Sequence, residues 1–270
     1  MDNSFDKLFY HHGRYIGGVD ETGVADIAGP LVAACVILPR FEGRADDTRL
    51  FDVDDCKKVP ERSRKKLAEI IWQAALGIGI GEVTPSEVDA LGREASVRLA
   101  MLRSVIACRA PGTNKPIRPD FLLIDEAHDL HIAAKIKQSF IHRGDSKSLC
   151  VAAASIIAKV YRDDIMIKLH QSFPFYDWIS NKGFPSQRHL EGLDRHGFQI
   201  GIHRMKGWPF IKNPKLHEGP EAPVTHNRRK SWRKITEETL AKEIGEDLWT
   251  LKPQSYRDSP KFRPPTEKAL

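Results

Sequence analysis

Runs of apolar residues separated by polar stretches predict several strands along the chain. Tyr15 to Val19 and Leu31 to Leu38 flank a short, turn-rich link and predict two neighbouring strands of one sheet. Gly77 to Val83 reads GIGIGEV, in which glycine alternates with larger side chains. This period of two favours a third strand, although the glycines weaken that prediction. Phe121 to Asp125 is almost wholly apolar, as in a strand buried on both faces of a sheet. Ser139 to His142 is a further possible strand.

Apolar residues at helical spacing fill the stretches between and after these strands. A capping-box pattern with proline at the first helical position marks the start of one of these helices. Strands that alternate with helices predict an α/β domain. The predicted helices are an amphipathic segment from Glu61 to Gly77, a short helix opened by Thr84 to Glu87, a segment through Val97 and Cys108 that ends near Pro111, Leu149 to Leu169, and Gln187 to His196 closed by Gly197.

Carboxylates stand where the predicted strands end. Asp20 and Glu21 follow the first apolar run, Asp125 closes the fourth, and Asp145 comes soon after the last. An isolated Asp-Glu pair is more often an acidic cap or turn, but ligands of α/β sheets collect at strand ends. We therefore expect these four acids at a common edge, where they could bind magnesium or manganese. Consecutive strand residues point to opposite faces, so Asp20 and Glu21 share a site only if the strand ends or bulges there, or if Glu21 uses its longer side chain.

Composition narrows the class of protein. The chain has 270 residues, a formal net charge of +6 and four cysteines without CxxC spacing. The positive charge is compatible with a polyanionic partner, and the cysteine pattern indicates neither a zinc ribbon nor a disulfide scaffold. The first residues do not have the pattern of a signal peptide, and no apolar span approaches membrane length. We expect a cytoplasmic, monomeric protein.

The predicted domain organisation has three parts. Residues 1–14 form an N-terminal arm, residues 15–212 the α/β domain, and residues 213–270 a basic, proline-rich tail. The tail is predicted to be largely disordered or to contain one short helix between about Lys234 and Trp249. Its segment His226 to Lys234 mixes cations with an indole, so binding to nucleic acid or to a protein partner stays open.

A series of short motifs runs along the chain in a fixed order. Gly18 to Leu38 reads GVDETGVADIAGPLVAACVIL, and it is followed by DDCKK at Asp54 to Lys58, LLID at Leu122 to Asp125, RGDS at Arg143 to Ser146, AAASIIAKVYRD at Ala152 to Asp163, NKGFPS at Asn181 to Ser186, and the pair His203-Arg204. In the order and spacing of these motifs, the chain resembles type 2 ribonuclease H, the ribonuclease HII family, over roughly Tyr15 to Phe210. Gly18 to Leu38 aligns without a gap with the frame of the family pattern DEAGRGPLAGPVVAAAVIL.

The resemblance implies an RNase H-like fold, with a mixed central sheet flanked by helices and a C-terminal extension. It also implies that two magnesium or manganese ions support cleavage of RNA in RNA/DNA hybrids, or at ribonucleotides embedded in DNA, to leave 3′-hydroxyl and 5′-phosphate ends. By position, the catalytic and metal-binding acids are Asp20, Glu21, Asp125 and Asp145. The implied substrate-binding residues are Gly23, Val24, Ala25, Lys57, Lys58, Ser146, Lys182, Gly183, Phe184 and Arg204.

The chain departs from the family pattern in the loop after Glu21. The family's GRG is Gly23-Val24-Ala25 here, which removes a guanidinium and strains Ala25 if that position needs a positive φ. The family tyrosine is Phe184, which keeps the ring but loses the hydroxyl donor. Asp26 replaces a proline, as in the GTGD loop of the sister group ribonuclease HIII. A site that reads a 2′-hydroxyl discriminates through hydrogen bonds, so we predict a weakened preference for single ribonucleotides.

Other polar residues have a more ordinary interpretation. Lys159 and Arg162 could line a phosphate groove, but cations on helices are usually solvated surface. His128 and His131 have H-x-x-H spacing without an evident third ligand, which favours surface or capping roles over zinc. His189 is predicted to be packed rather than catalytic.

Ser146 and Ser155 do not have the histidine and aspartate partners of a serine hydrolase. Apart from an active nuclease, two alternatives stay open. One is a catalytically weak or inactive nucleic-acid-binding descendant of the fold, and the other is a different two-metal nuclease on the same fold.

Overall fold

A five-stranded sheet with the order β3-β2-β1-β4-β5 organises the protein. The computed structural model describes residues 4–41, 50, 52–53, 56, 59–126, 128, 130 and 136–206. β1 pairs antiparallel with β2 and parallel with β4, so the sheet is mixed, as predicted. The strands are β1 (Ile16–Thr22), β2 (Leu31–Ile37), β3 (Gly77–Val83), β4 (Phe121–Asp125) and β5 (Lys137–Ile141).

The sequence suggested that the first strand ends at its carboxylates, but the strand continues beyond them. β1 continues to Thr22 beside β2, where Asp20 lies opposite Ala34. On its other side, however, the pairing with β4 stops at Val19 and Ile124. Asp20 therefore borders β4 just beyond the paired region, in a strand that ends on one side only.

Helices cover both faces of the sheet. The predicted capping box is confirmed, because the Thr84 hydroxyl accepts the Glu87 amide at 3.3 Å while the Glu87 carboxylate accepts the Thr84 amide at 2.8 Å. The fifth strand begins two residues earlier than predicted, and the long helix extends three residues further. The helices are α1 (Ser4–Lys7), α2 (Glu61–Ala74), α3 (Pro85–Leu91), α4 (Arg93–Ile106), α5 (Leu149–Ser172), α6 (Trp178–Asn181) and α7 (Gln187–His196), with 3-10 turns at Tyr10–His12, Gly144–Ser146 and Pro174–Tyr176.

The sheet faces divide the core into two layers. α4 packs against β2 and β3, and α5 packs across β1 and β2 on the opposite face. A Cβ atom at Gly79 would lie 2.0 Å from the Ser104 carbonyl oxygen of α4, and one at Gly18 would lie 2.2 Å from the Cys150 carbonyl carbon of α5. Glycine is therefore needed where helix backbones approach the sheet closely. The glycines that weakened the strand prediction for β3 have this packing role.

Segments at both ends of the described chain join this core. On the N-terminal side, the buried Asp6 accepts a hydrogen bond at 3.0 Å from the Cys150 amide, in the first turn of α5. The C-terminal helices enclose an apolar cluster around Tyr176, Trp178 and Leu193. Residues 207–270, including the tail, lie outside the described residues. Among the helices that the structure describes, none combines the length and hydrophobicity of a membrane span.

Candidate active site

Asp20 lies at the centre of the predicted acidic edge. Asp20 is only 5% exposed, and its Oδ1 accepts a hydrogen bond from the Glu21 amide at 2.8 Å. Burial, together with the nearby charges of Glu21 and Asp125, raises the pKa of Asp20 well above its ordinary value. Hydrogen bonds from Ser155 and from the Glu21 amide act in the opposite direction on this pKa. The structure thus brings Asp20, Glu21 and Asp125 close enough for their charges to interact.

The turn that carries Asp145 is attached to the end of β4. The Gly144 amide donates a 2.6 Å hydrogen bond to Oδ1 of Asp125. Arg143 adopts the left-handed conformation immediately before this turn, with φ of 54°. Asp145, the next residue after Gly144, is buried. The hydrogen bond at Gly144 therefore holds the backbone next to Asp145, the fourth predicted acid, against Asp125.

The chemistry of these donors suits a hard divalent cation. All four predicted ligands are carboxylates, and magnesium and manganese prefer oxygen ligands. A cation among them would also reverse the repulsion that raises the pKa of Asp20. Within the residues that the structure describes, however, no three His, Cys, Asp or Glu side chains form a group that could hold a metal ion. A metal site formed by Asp20, Glu21, Asp125 and Asp145 therefore remains a prediction.

We call the loop from Gly23 to Gly29, which follows β1 and begins with three residues predicted to bind substrate, the substrate loop. Gly23 has φ of +88°, and a Cβ atom there would lie 2.3 Å from Nε of Arg162. Val24 packs against the core, whereas Ala25 is exposed. Ala25 is not among the described residues with positive φ, so the strain considered for it does not arise. The altered GRG positions thus form an ordered turn without the family's arginine.

Arg204 stabilises the substrate loop through hydrogen bonds to backbone carbonyls of the loop. Its residue is 1% exposed, and its guanidinium donates to the Gly29 carbonyl at 3.2 and 3.1 Å and to the Val24 carbonyl at 3.4 Å. Burial lowers the pKa of Arg204 to about 10. These contacts make Arg204 a support for the loop.

The second predicted substrate segment, Lys182 to Phe184, lies against the substrate loop. The Gly183 carbonyl accepts the Ile27 amide at 2.9 Å. Lys182 is largely buried and forms an ion pair with Glu61 at 3.1 Å. The Phe184 ring, by contrast, is 52% exposed. Phe184 is therefore the member of this segment that presents a large apolar surface to solvent.

Two buried histidines fix the backbone at Phe184. His189 Nδ1 lies 2.9 Å from the Phe184 carbonyl oxygen, so Nδ1 carries the proton. His189 Nε2 then accepts from Trp178 at 3.0 Å and from His203 Nε2 at 3.1 Å, while His203 Nδ1 accepts the Gln199 amide at 2.8 Å. Burial lowers the pKa of His189 to about 4 and that of His203 to about 3. Both rings are neutral, and the prediction that His189 is packed is confirmed.

Arg162 is the residue that sequence reasoning misjudged most. The expectation that it is a solvated or groove-lining cation is wrong, because its side chain is 0% exposed. It donates to the carbonyls of Pro30 at 2.9 Å, Ala28 at 2.9 Å and Lys182 at 2.7 Å. Arg162 lies one helical turn from the buried Ala158 and from the buried Met166. That helical spacing was the available signal that its side chain faces inward.

The remaining predicted residues have simpler surroundings. Ser146 donates its hydroxyl to the Arg143 carbonyl at 2.9 Å within the turn. Lys159 forms an ion pair with Asp163 at 2.8 Å along α5. His128 approaches Glu94 at 4.0 Å. Lys57, Lys58 and His131 lie outside the described residues.

Comparisons with known proteins agree with this architecture. The profile of the family described as Ribonuclease HII matches residues 17–208. The chain is 40% identical over 206 residues to Ribonuclease HII of Syntrophus aciditrophicus, covering 76% of this chain and 89% of the relative. It is 37% identical over 218 residues to Ribonuclease HII of Endomicrobium trichonymphae, covering 79% of this chain and 97% of the relative.

A solved structure shares the fold as well. The crystal structure of ribonuclease H2 from Pyrococcus horikoshii is 26% identical and aligns with a TM-score of 0.55, covering 70% of this chain and 92% of that chain. The mixed sheet with helices on both faces thus defines an RNase H-like α/β protein. The chain belongs to the ribonuclease HII family and is a type 2 ribonuclease H enzyme.

Proposed function

We propose that this ribonuclease H hydrolyses the RNA strand of RNA/DNA hybrids or cleaves at ribonucleotides embedded in duplex DNA, leaving 5′-phosphate and 3′-hydroxyl ends. We further propose that its preference for single ribonucleotides is weakened. The observation that carries the proposal is the juxtaposition of Asp20 and Asp125 at the edge where β1 and β4 stop pairing, in a chain of this family.

In the proposed site, Asp20, Glu21, Asp125 and Asp145 would hold two magnesium or manganese ions. The chemistry that such ions supply when bound is activation of water and stabilisation of the leaving oxygen. The protein's own contribution is to hold the acids in place. The Glu21 amide and Ser155 restrain Asp20, and the Gly144 amide restrains Asp125.

On the substrate side, we propose that the exposed Phe184 ring stacks against a sugar or base next to the cleaved bond. The backbone of Gly23, Val24 and Ala25, together with Gly183, would contact the strand beside it. Ser146 and Lys182 would lie near the phosphates, where Lys182 would first have to leave Glu61. Lys57 and Lys58 are proposed to contact phosphates on the basis of the resemblance alone.

Arg204 is proposed to act indirectly, because its guanidinium is engaged with the loop carbonyls. With valine at position 24, the substrate loop has no guanidinium to offer a 2′-hydroxyl, and Phe184 has no hydroxyl donor. Loss of these hydrogen bonds is the physical reason for the proposed weaker preference for single ribonucleotides.

The test gives the purified protein three substrates with magnesium or manganese: a DNA duplex with one embedded ribonucleotide, a continuous RNA/DNA hybrid, and duplex RNA. We expect faster cleavage of the hybrid than of the single-ribonucleotide duplex, and no cleavage of duplex RNA. Equal rates on the first two substrates would refute the weakened preference. A protein that binds the hybrid without cleaving it would instead match the catalytically inactive alternative.

Two variants separate the acids from general charge effects. Asp125→Asn is expected to lose activity, since it removes one of the proposed ligands. Asp164→Asn makes the same chemical change on α5, where Asp164 pairs with Lys65 of α2 at 2.8 Å. It is expected to retain full activity. Activity that survives in Asp125→Asn would remove that residue from the site.

A further inference from the structure

A single buried guanidinium joins the substrate loop to the segment that carries Phe184. Arg162 donates through Nη2 to the carbonyl of Ala28, near the end of the loop, and through Nε to the carbonyl of Pro30, just after it. Its Nη1 lies 2.7 Å from the Lys182 carbonyl oxygen and 2.8 Å from Oδ2 of Asp26. One nitrogen therefore contacts both segments at once.

Asp26 supplies the carboxylate that pairs with Arg162, and the charge of Asp163 also acts on this guanidinium. Its side chain is 14% exposed, against 0% for Arg162, so the ion pair is largely shielded from water. A second buried guanidinium, that of Arg204, also lies close enough for its charge to act on Asp26. Burial raises the pKa of Asp26, and the charges of Arg162 and Arg204 oppose this rise. A buried cation that loses its counter-ion is costly, so the junction depends on the Asp26 carboxylate.

The family pattern that the sequence resembles has a proline where this chain has Asp26. Proline restricts the backbone through its ring, whereas Asp26 restrains the loop through a charged contact with another element. That contact extends to the Lys182 carbonyl, only two residues before Phe184. Asp26 is thus connected through Arg162 to the exposed ring.

We propose that Asp26 is a positioning residue that, through Arg162, holds the substrate loop and Phe184 in the arrangement that binds the hybrid. The inference rests on the proposed function, because it assigns a role to Asp26 at that same site. Asp26 does not touch substrate in this scheme. It restricts where the loop and the stacking ring can lie.

The test measures KM and kcat on the continuous hybrid for Asp26→Asn, below the unfolding temperature of the variant. Misplacement of a binding surface weakens substrate binding, so KM is expected to rise about tenfold while kcat changes little. Asp164→Asn breaks a more exposed ion pair, with Lys65, on the helix that carries Arg162; it is the matched control and should leave KM unchanged. An unchanged KM in Asp26→Asn, or an equal rise in the control, would overturn the proposal.

A double-mutant cycle with Phe184→Ala distinguishes positioning from a general weakening of the fold. If Asp26 acts through Phe184, Asp26→Asn should raise KM much less in the Phe184→Ala background than in the parent protein. If the two substitutions instead raise KM by independent factors that multiply in the double variant, Asp26 does not act through Phe184. If Asp26→Asn does not fold, Asp26→Glu serves in its place, since it keeps the charge but displaces the carboxylate. A KM identical to that of the parent in Asp26→Glu would then count against a positional role.

Direct binding separates this inference from the proposed function. If the parent protein does not cleave the hybrid at all, the proposed function fails. Fluorescence anisotropy with a labelled hybrid then reports Kd in place of KM. Weaker binding by Asp26→Asn than by Asp164→Asn would still support positioning by Asp26, and equal binding by the two variants would reject it.

Discussion

The acidic edge at Asp20 and the junction at Arg162 both bury charged side chains, and they differ in what surrounds each charge. At the acidic edge, Glu21 and Asp125 add to the effect of burial and raise the pKa of Asp20. At the junction, Arg162 meets Asp26 at 2.8 Å and three backbone carbonyls. Like charges held together favour binding of a cation, whereas opposite charges held together favour a fixed shape. We propose that the acidic edge serves the chemistry and that the junction serves the positioning of the substrate loop and Phe184.

The strongest test of this comparison replaces Asp20 by asparagine. Activity should fall by at least about 100-fold, since the change removes a proposed ligand outright. Without divalent cations at pH 7, the same variant should be more stable than the parent. The folded-state pKa of Asp20 is raised, so its contribution to stability is present below about pH 3.8 and is lost as the pH rises through the folded-state pKa. Asparagine does not ionise and avoids that loss.

The measurements are the hydrolysis rate of the hybrid and the denaturant midpoint in chelator-treated buffer. Addition of magnesium should raise the midpoint of the parent more than that of Asp20→Asn, because the parent holds the repelling carboxylates that a cation relieves. A lower midpoint for Asp20→Asn in metal-free buffer would contradict the contrast between the two regions.

Acid should weaken the segment around Phe184, next to the junction, through the buried histidines His189 and His203. The pKa of His189 falls from 6.5 to about 4 in the folded protein, and that of His203 falls to about 3. Groups with depressed folded-state pKa values contribute stability that is present above pH 6.5 and is lost as the pH falls through the folded-state values. Each unit of depression corresponds to about 1.4 kcal/mol, so the free energy of unfolding should drop markedly between pH 6.5 and pH 4.

Urea unfolding at a series of pH values measures this loss, with His189→Gln as the comparison because glutamine does not titrate. His128, whose pKa is also lowered by burial, stays in both proteins and cancels. The buried carboxyl groups of Asp6, Asp20 and Asp26 have raised pKa values and act in the opposite direction, but they too are present in both proteins. An identical pH slope in the parent and in His189→Gln would show that this histidine is not responsible.

The smallest expected effect concerns the contact between Gly23 and Arg162. Gly23→Ala combines a positive φ of +88° with a Cβ atom only 2.3 Å from Nε of Arg162, which is fixed by its bond to Pro30. Gly112→Ala has a similar φ of +79° but open space around its Cβ. Positive φ alone costs about 1 kcal/mol, and Gly23→Ala should cost clearly more. Equal losses in thermal unfolding would mean that Arg162 yields to the methyl group and is not a rigid anchor.

Much of the architecture was predictable because burial follows local periodicity. The alternation in β3, the capping box at Thr84 and the apolar runs of β2 and β4 each depend on residues close in the chain. Even the packed state of His189 could be inferred from its place on an amphipathic helix. The juxtaposition of Asp20 and Asp125 followed from the rule that strand ends meet at one edge.

Other features required the folded chain. The pairing of His189 with His203 and the one-sided end of β1 are set by which elements become neighbours, and no local pattern reports this. Arg162 was read as a surface cation because arginine is rarely fully buried unless it is paired. Its partners Ala28 and Pro30 lie 134 and 132 residues away along the chain.

The amino-acid sequence by itself determined the strands and helices, the acids at the edge of the sheet and the membership in the ribonuclease HII family. Local spacing and residue type are sufficient for these, because each expresses burial or chemistry within a short stretch. Tertiary structure alone decided which groups Arg162 meets, that Asp26 is its counter-ion, and that the substrate loop and Phe184 are held together. A buried charge is stable only beside a specific partner, and that partner is brought to it by the packing of distant segments.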